Sequence, residues 1–117
     1  MNNEHGNIKV ADDVIAVCAA RAALETQGVY SLASAVFTDT ISESILGKTP
    51  DSKGVRVNQS DEETVIDLYI IVRYGVKIPS VAWNIQENVK HEVEEFCGLK
   101  VTYVNIHVQG IHFNEKN

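Results

Sequence analysis

Alternation of apolar and other residues is clearest over residues 64–74, and this pattern predicts a β-strand. Residues 55–58 show a shorter strand pattern. The polar stretch 60–63 separates the two, so together they predict a β-hairpin. Residues 99–110 predict the last strand of the chain, and residues 8–10 predict a short edge strand.

Two segments instead repeat their apolar residues with the period of a helix. Residues 13–26 predict a helix with an aspartate as its N-cap. Its expected apolar stripe is Val14, Cys18 and Ala22, flanked by Ile15 and Ala19. Residues 77–97 predict a longer helix, with Pro79 in the first turn and Gly98 as the C-cap.

The segment between the first helix and the hairpin is ambiguous. Residues 29–36 fit a strand or an irregular extended segment, and residues 38–52 have the composition of a loop. Within this region Phe37, Ile41 and Ile45 are spaced four apart, which predicts a short amphipathic helix.

The order of these elements predicts an α+β fold with two layers. We expect a mainly antiparallel sheet of three or four strands with both helices packed on one face. The predicted organisation is a disordered N-terminus (1–7), a single domain (8–113) and a frayed tail (114–117).

Strand alternation assigns the predicted sheet two unlike faces. The apolar face, expected beneath the helices, comprises Ile66, Leu68, Ile70, Val72, Tyr74, Val104, Ile106 and Val108. The candidate partner-binding residues of the opposite face are Tyr69, Ile71, Arg73, Tyr103, Asn105, His107 and Gln109. Because aromatic residues and arginine are enriched at interfaces, this face suits a partner or a second copy of the chain. An ordinary solvated sheet face is the alternative.

Trp83 is a further candidate partner-binding residue. It lies about 160° around the second helix from Ile85, on a polar side, which predicts an exposed side chain. An exposed tryptophan is a favoured interface anchor. The alternative is that Trp83 packs against residues 37–50.

The charge balance narrows the class of partner. The chain of 117 residues has ten Lys and Arg against sixteen Asp and Glu, for a net charge of −6. This disfavours binding to nucleic acid or to an anionic membrane, both of which need basic clusters. We find no signal-peptide pattern and no apolar run of about 18 residues. We therefore expect a cytoplasmic protein that does not insert into a membrane directly.

Candidate chemistry is sparse. Cys18 and Cys97 lie in apolar patterns and are expected to be buried thiols. His107 and His112 are five apart on one predicted strand and are expected on opposite faces, so they form no metal pair. The triplet that starts at Gly47 lacks the earlier glycine of a phosphate-binding loop. We therefore expect no catalytic residues, no metal and no cofactor, and hence no enzyme.

Three motifs carry a resemblance to a known family: IDLYIIVRYG, VAWNIQENV and GLKVTYVNIHVQGI. With them the chain resembles the alkaline shock protein family of Gram-positive bacteria, also called the envelope stress response family, along nearly its whole length. The resemblance implies a cytoplasmic, non-enzymatic role in cell-envelope homeostasis. It also implies that some members are held at the membrane by a separate membrane-spanning partner. The short form is similar to a housekeeping branch whose genes lie beside a fatty-acid kinase subunit.

The leading functional hypothesis is a protein-binding module in envelope stress or lipid homeostasis. Its expected partners are proteins, including a membrane-anchored protein that recruits it to the membrane or a second copy of the chain. Two alternatives stay open. One is an accessory subunit or small-ligand binder linked to fatty-acid metabolism, with residues 37–50 as a lid. The other is an RNA-binding module that uses the sheet face, although the acidic balance leads us to expect no nucleic acid.

Overall fold

Helices and strands of the chain are described by a computed structural model for residues 8–33 and 54–113. In chain order the elements are α1 (Asp12–Leu24), β1 (Val29–Leu32), β2 (Val55–Gln59), β3 (Thr64–Arg73), α2 (Ile78–Cys97) and β4 (Tyr103–His112). The predictions for 1–7, 34–53 and 114–117, including the helix near Phe37 and the loop over 38–52, lie outside these residues.

Strand β3 is the centre of the sheet. Its first half pairs antiparallel with β2, and its second half pairs antiparallel with β1, so β1 and β2 lie end to end along one edge. Along the other edge β4 runs parallel to β3, and α2 provides the crossover between them. Two of the three pairings among the described strands are antiparallel, which confirms the expected α+β fold with a mainly antiparallel sheet.

The pairing of β3 with β4 contains one irregularity. Ile70 pairs with Val108, but the next residue, Ile71, pairs with Gly110, so Gln109 has no partner in the register. An extra residue of this kind is a β-bulge, and it shifts the alternation of every residue that follows it. The last residues of β4 therefore face the opposite way from an unbroken strand.

The hydrophobic core lies between the sheet and the two helices. The inward face of β3 provides the fully buried side chains of Ile66, Leu68, Ile70 and Val72. Helix α2 covers them with Ile85, Val89 and Val93, and α1 adds Ile15 and its alanines. The prediction for the apolar face of β3 is confirmed except at Tyr74. That residue lies beyond the end of β3 and is exposed.

Helix α1 corrects two sequence predictions. It begins at Asp12, and its N-cap is Ala11, so no aspartate side chain caps it. Its buried side comprises Ile15, Ala16, Ala19, Ala22 and Ala23, whereas Val14 is exposed and Cys18 is half-buried. The alanines face inward because their small side chains let the helix axis approach the sheet. Apolar spacing could not distinguish this side from the side that carries Val14.

The predicted edge strand at residues 8–10 is wrong, because the chain there has no strand pairing. The Val10 carbonyl instead accepts a hydrogen bond from Gln59 Nε2 at 3.1 Å. Helix α2, by contrast, matches its prediction closely. Pro79 lies in the first turn, and Gly98 ends the helix with a φ of 71°.

Glu94, near the end of α2, ties the helix to the segment that leads into β4. Its Oε2 accepts a hydrogen bond from the Val101 amide at 2.9 Å and lies 3.4 Å from Lys90 Nζ. The Val101 hydrogen bond, aided by the Lys90 charge, lowers the pKa of Glu94 below its usual value. A lowered carboxylate pKa contributes stability above the unfolded-state pKa, and this contribution is lost as pH falls through the folded-state pKa.

We expect Glu94→Gln to lower the free energy of unfolding at pH 7 by less than about 1 kcal/mol, because the carboxylate is partly exposed and the amide oxygen can still accept from Val101. This difference from the wild type should shrink as the pH falls below about 4.3, the usual glutamate pKa. Urea unfolding at pH 7 and pH 3 measures it, with the exposed Glu95→Gln as control. A difference that is the same at both pH values would contradict the role of the Glu94 carboxylate.

Candidate functional site

The outward face of β3 and β4 forms the candidate site, and we call it the sheet face. Its side chains come from register pairs that lie side by side across the two strands. These pairs are Asp67 with Asn105, Tyr69 with His107, Ile71 with Gly110, and Arg73 with His112. Both helices pack on the opposite side of the sheet, so within 8–33 and 54–113 no helix covers this face.

A polar cluster occupies the middle of the sheet face. Asp67 Oδ1 accepts hydrogen bonds from Asn105 Nδ2 at 3.1 Å and from His107 Nε2 at 3.0 Å. The His107 ring also stacks on Tyr69, with 4.5 Å between centroids and 11° between planes. These contacts hold all four side chains in place before any partner arrives.

A second cluster lies at the end of the face where β3 finishes. The rings of Tyr30 and His112 stack with centroids 3.7 Å apart and planes within 5°. Arg73 Cζ lies 5.2 Å from the Tyr30 centroid, in cation–π range. Tyr30 comes from β1 and His112 from β4, so this cluster spans the width of the sheet.

The bulge at Gln109 explains why sequence reasoning missed this second cluster. In an unbroken strand His107 and His112 would face opposite ways, as predicted, but the extra residue returns His112 to the face of His107. The prediction of opposite faces is therefore wrong. Tyr30 was also missed, because its segment was ambiguous between a strand and an irregular structure.

The other predicted site residues divide between the two layers. Tyr103, Asn105 and Arg73 are exposed on the sheet face, while Tyr69, Ile71 and His107 are half-buried there. Gln109 is exposed in the bulge and lacks a paired position. Trp83 is exposed as predicted, but it lies on α2 and hence on the helical layer. The structure therefore does not bring Trp83 together with the sheet-face residues.

Cys18 is the described side chain with the most strongly shifted pKa. Burial, reinforced by the neighbouring Cys97, raises the pKa of the Cys18 thiol to about 11. Its Sγ lies 3.6 Å from the Glu92 carbonyl, to which the protonated thiol donates. Because the thiolate is the nucleophile, this thiol is poorly suited to catalysis near neutral pH.

Metal binding and membrane crossing were considered for the two described ranges of the chain. In 8–33 and 54–113, no group of three or more His, Cys, Asp or Glu side chains is arranged to hold a metal ion. Neither α1 nor α2 combines the length and apolar character that a membrane crossing requires.

These features define a class of protein: a two-layer α+β domain whose helices cover one side of a sheet and whose other side presents ordered aromatic, histidine and arginine side chains. Residues 1–113 match the alkaline shock protein 23 family, which is described as having a cell envelope-related function, and the chain belongs to that family. The resemblance to the alkaline shock protein family is thereby confirmed.

Curated relatives span nearly the whole chain. Protein YloU of Bacillus subtilis is 43% identical over 112 residues, covering 95% of this chain and 92% of that protein. Spy1614 of Streptococcus pyogenes is 40% identical over 111 residues, covering 95% and 92%. YqhY of Bacillus subtilis is 36% identical over 111 residues, covering 95% and 81%. A solved structure of MamM V260R aligns with a TM-score of 0.49 at 14% identity, covering 91% of this chain and all of that one.

Proposed function

We propose that the chain is a non-enzymatic protein-binding module that acts in bacterial cell-envelope stress or lipid homeostasis, and that its partner docks on the sheet face. The observation that carries the proposal is the ordered array formed by Asp67, Tyr69, Asn105 and His107, which no described helix covers. Membership in a family with a cell envelope-related function supports the cellular setting.

The ordering of the sheet face favours the binding of a protein. A partner loses affinity when it must immobilise flexible side chains, and the stacked and hydrogen-bonded side chains here are already fixed. Tyrosine and arginine supply large contact area together with polar recognition, which suits interface anchors. Tyr103 adds a further exposed ring at the start of β4.

RNA binding is less well supported by the same geometry. Single-stranded RNA needs free ring faces for its bases. One face of the Tyr69 ring is occupied by His107, and one face of the Tyr30 ring by His112. The Asp67 carboxylate at the centre of the array would also repel phosphates.

The link to the envelope is part of the proposal. We place the membrane attachment in the partner, as the family resemblance implies. The accessory-subunit hypothesis relied on residues 37–50 as a lid, and these lie outside the described part of the chain. No observation on the sheet face favours it.

The test is affinity capture from the native cell with the wild type and with a Tyr69→Ala, Tyr103→Ala double variant, followed by quantitative mass spectrometry. Loss of two interface aromatics should reduce capture of a sheet-face partner about tenfold or more. His91→Ala, an exposed ring on α2, is the matched control and should capture like the wild type.

Trp83→Ala forms a separate arm, which shows whether the helical layer belongs to the same interface. Identical partner lists for the wild type and a correctly folded double variant would refute docking on the sheet face. Thermal unfolding of each variant supplies the folding control.

A further inference from the structure

A groove runs between α1 and α2 on the side of the molecule away from the sheet face. It has a volume of about 470 Å³ and is open to solvent. The Cys18 thiol of α1 donates to the Glu92 carbonyl of α2 with 3.6 Å between Sγ and O, and this contact joins the two helices at the groove. Beyond the end of α1, Asn88 Nδ2 donates to Thr26 Oγ1 at 2.9 Å.

Apolar side chains line this groove and are unusually exposed. Val14 and Val17 of α1 are 53% and 54% exposed, and Phe96 of α2 is 71% exposed. Leu24 continues the exposed apolar ridge of α1. A surface helix normally carries mainly polar residues opposite its buried side, yet the exposed side of α1 includes Val14, Val17 and Leu24. Exposed apolar side chains grouped on two adjacent helices suit an interaction site.

The charges at the rim indicate the chemistry of the occupant. Asp13 and Glu92 line the groove, and Arg21, the one cation among the described residues that line it, already contacts Glu25 with Nε–Oε2 at 3.3 Å. The rim is therefore acidic, in keeping with the net charge of −6. Two copies docked groove to groove would bring these carboxylates together, and like charges across an interface disfavour association.

We propose that the groove binds an amphipathic helix of a partner protein, with apolar side chains facing Val14, Val17 and Phe96 and with lysine or arginine beside Asp13 and Glu92. Binding of a helix in a hydrophobic groove is a common recognition mode. The surface lies on the helical layer, so this proposal does not rest on partner docking at the sheet face.

The test uses a fluorescein-labelled 14-residue peptide of leucine and lysine, with leucines spaced three and four apart, and measures fluorescence anisotropy at low and high salt. The wild type should bind this peptide, and added salt should weaken binding. Val17→Asp should weaken binding about tenfold or more by placing a charge among the apolar side chains that line the groove. Phe96→Ser should act in the same direction.

Charge reversal at the rim provides the sharpest comparison. Glu92→Lys should weaken binding of the leucine–lysine peptide and strengthen binding of a matched leucine–glutamate peptide. The Tyr69→Ala, Tyr103→Ala variant should bind the basic peptide like the wild type, which separates this proposal from the sheet face. A scrambled leucine–lysine peptide of equal composition is the control for simple charge attraction.

Four results would overturn the proposal. The first is equal binding of the scrambled peptide, and the second is unchanged binding by both Val17→Asp and Phe96→Ser. The third is a wild-type dimer in sedimentation velocity that Val17→Asp dissociates. The fourth is a loss of stability in Val17→Asp as large as that of a core substitution. The third result would assign the groove to a second copy, and the fourth to another part of the same chain.

Discussion

Replacing Leu68 by alanine is expected to lower the free energy of unfolding by about 3–5 kcal/mol, as for other fully buried leucines. Leu68 is 0% exposed at the centre of β3, where it pairs with Val55 on one side and Ile106 on the other. Its removal leaves a cavity between the sheet and the helices that the surrounding strands cannot close. Urea denaturation monitored by circular dichroism measures the change.

Tyr69→Ala is the matched control, because Tyr69 is the next residue of the same strand and points to the other face. Tyr69 is half-buried and its ring stacks on His107, so Tyr69→Ala should lower the free energy of unfolding by about 1 kcal/mol or less. The two variants together test the register on which the sheet face depends. A one-residue slip would exchange the two faces, so the reverse order of the two losses would contradict the assignment of the sheet face.

The faces of β3 could be predicted from sequence because every second residue from Ile66 to Val72 is apolar, whereas Asp67, Tyr69 and Arg73 lie between them. Side chains on one side are all apolar, and only one packing arrangement buries them. The hairpin was also predictable from its strand pattern. Helix α2 was predictable because Pro79 and Gly98 mark its ends. The buried side of α1 was harder to predict, because alanine and valine are both apolar and tertiary packing decides which of them faces the core.

The candidate site was only partly predictable. Alternation placed Tyr69, Asn105 and His107 on one face, and the structure agrees. The hydrogen bonds that converge on Asp67 depend on the parallel register of β3 with β4, which alternation does not specify. The sequence pattern did not predict the bulge at Gln109, although the neighbouring Gly110 is compatible with a bulge.

The two surfaces lie on opposite layers of one small domain. The sheet face is polar and aromatic, whereas the groove between α1 and α2 is apolar with an acidic rim. Surfaces so different in chemistry suit different partners. Under our two proposals the domain would join two proteins.

Gly54→Ala is the second substitution with a large expected effect, because Gly54 lies where β1 and β2 meet along the edge of β3. Its φ is +81°, and a Cβ added there would lie 2.8 Å from the Ala33 carbonyl oxygen and 2.8 Å from Leu32 Cβ. The Gly54 carbonyl accepts from the Tyr69 amide at 2.9 Å, and the Ala33 amide donates to the Tyr69 carbonyl at 2.7 Å. The Ala33 oxygen belongs to the main chain, and the main chain fixes the position of Leu32 Cβ, so no side-chain rotation relieves the collision.

We expect Gly54→Ala to lower the free energy of unfolding by about 2–4 kcal/mol, from left-handed strain of about 1–2 kcal/mol and from overpacking. Gly75→Ala is the matched control, because Gly75 has a φ of +95° but an added Cβ there would meet nothing within 4 Å. Gly75→Ala should therefore lower the free energy of unfolding only by the cost of the left-handed strain. Because the collision displaces the strands that hold the Tyr69 main chain, Gly54→Ala should also weaken partner capture by the sheet face, and Gly75→Ala should not. Equal losses in the two variants would mean that β1 and β2 do not approach each other as closely as described.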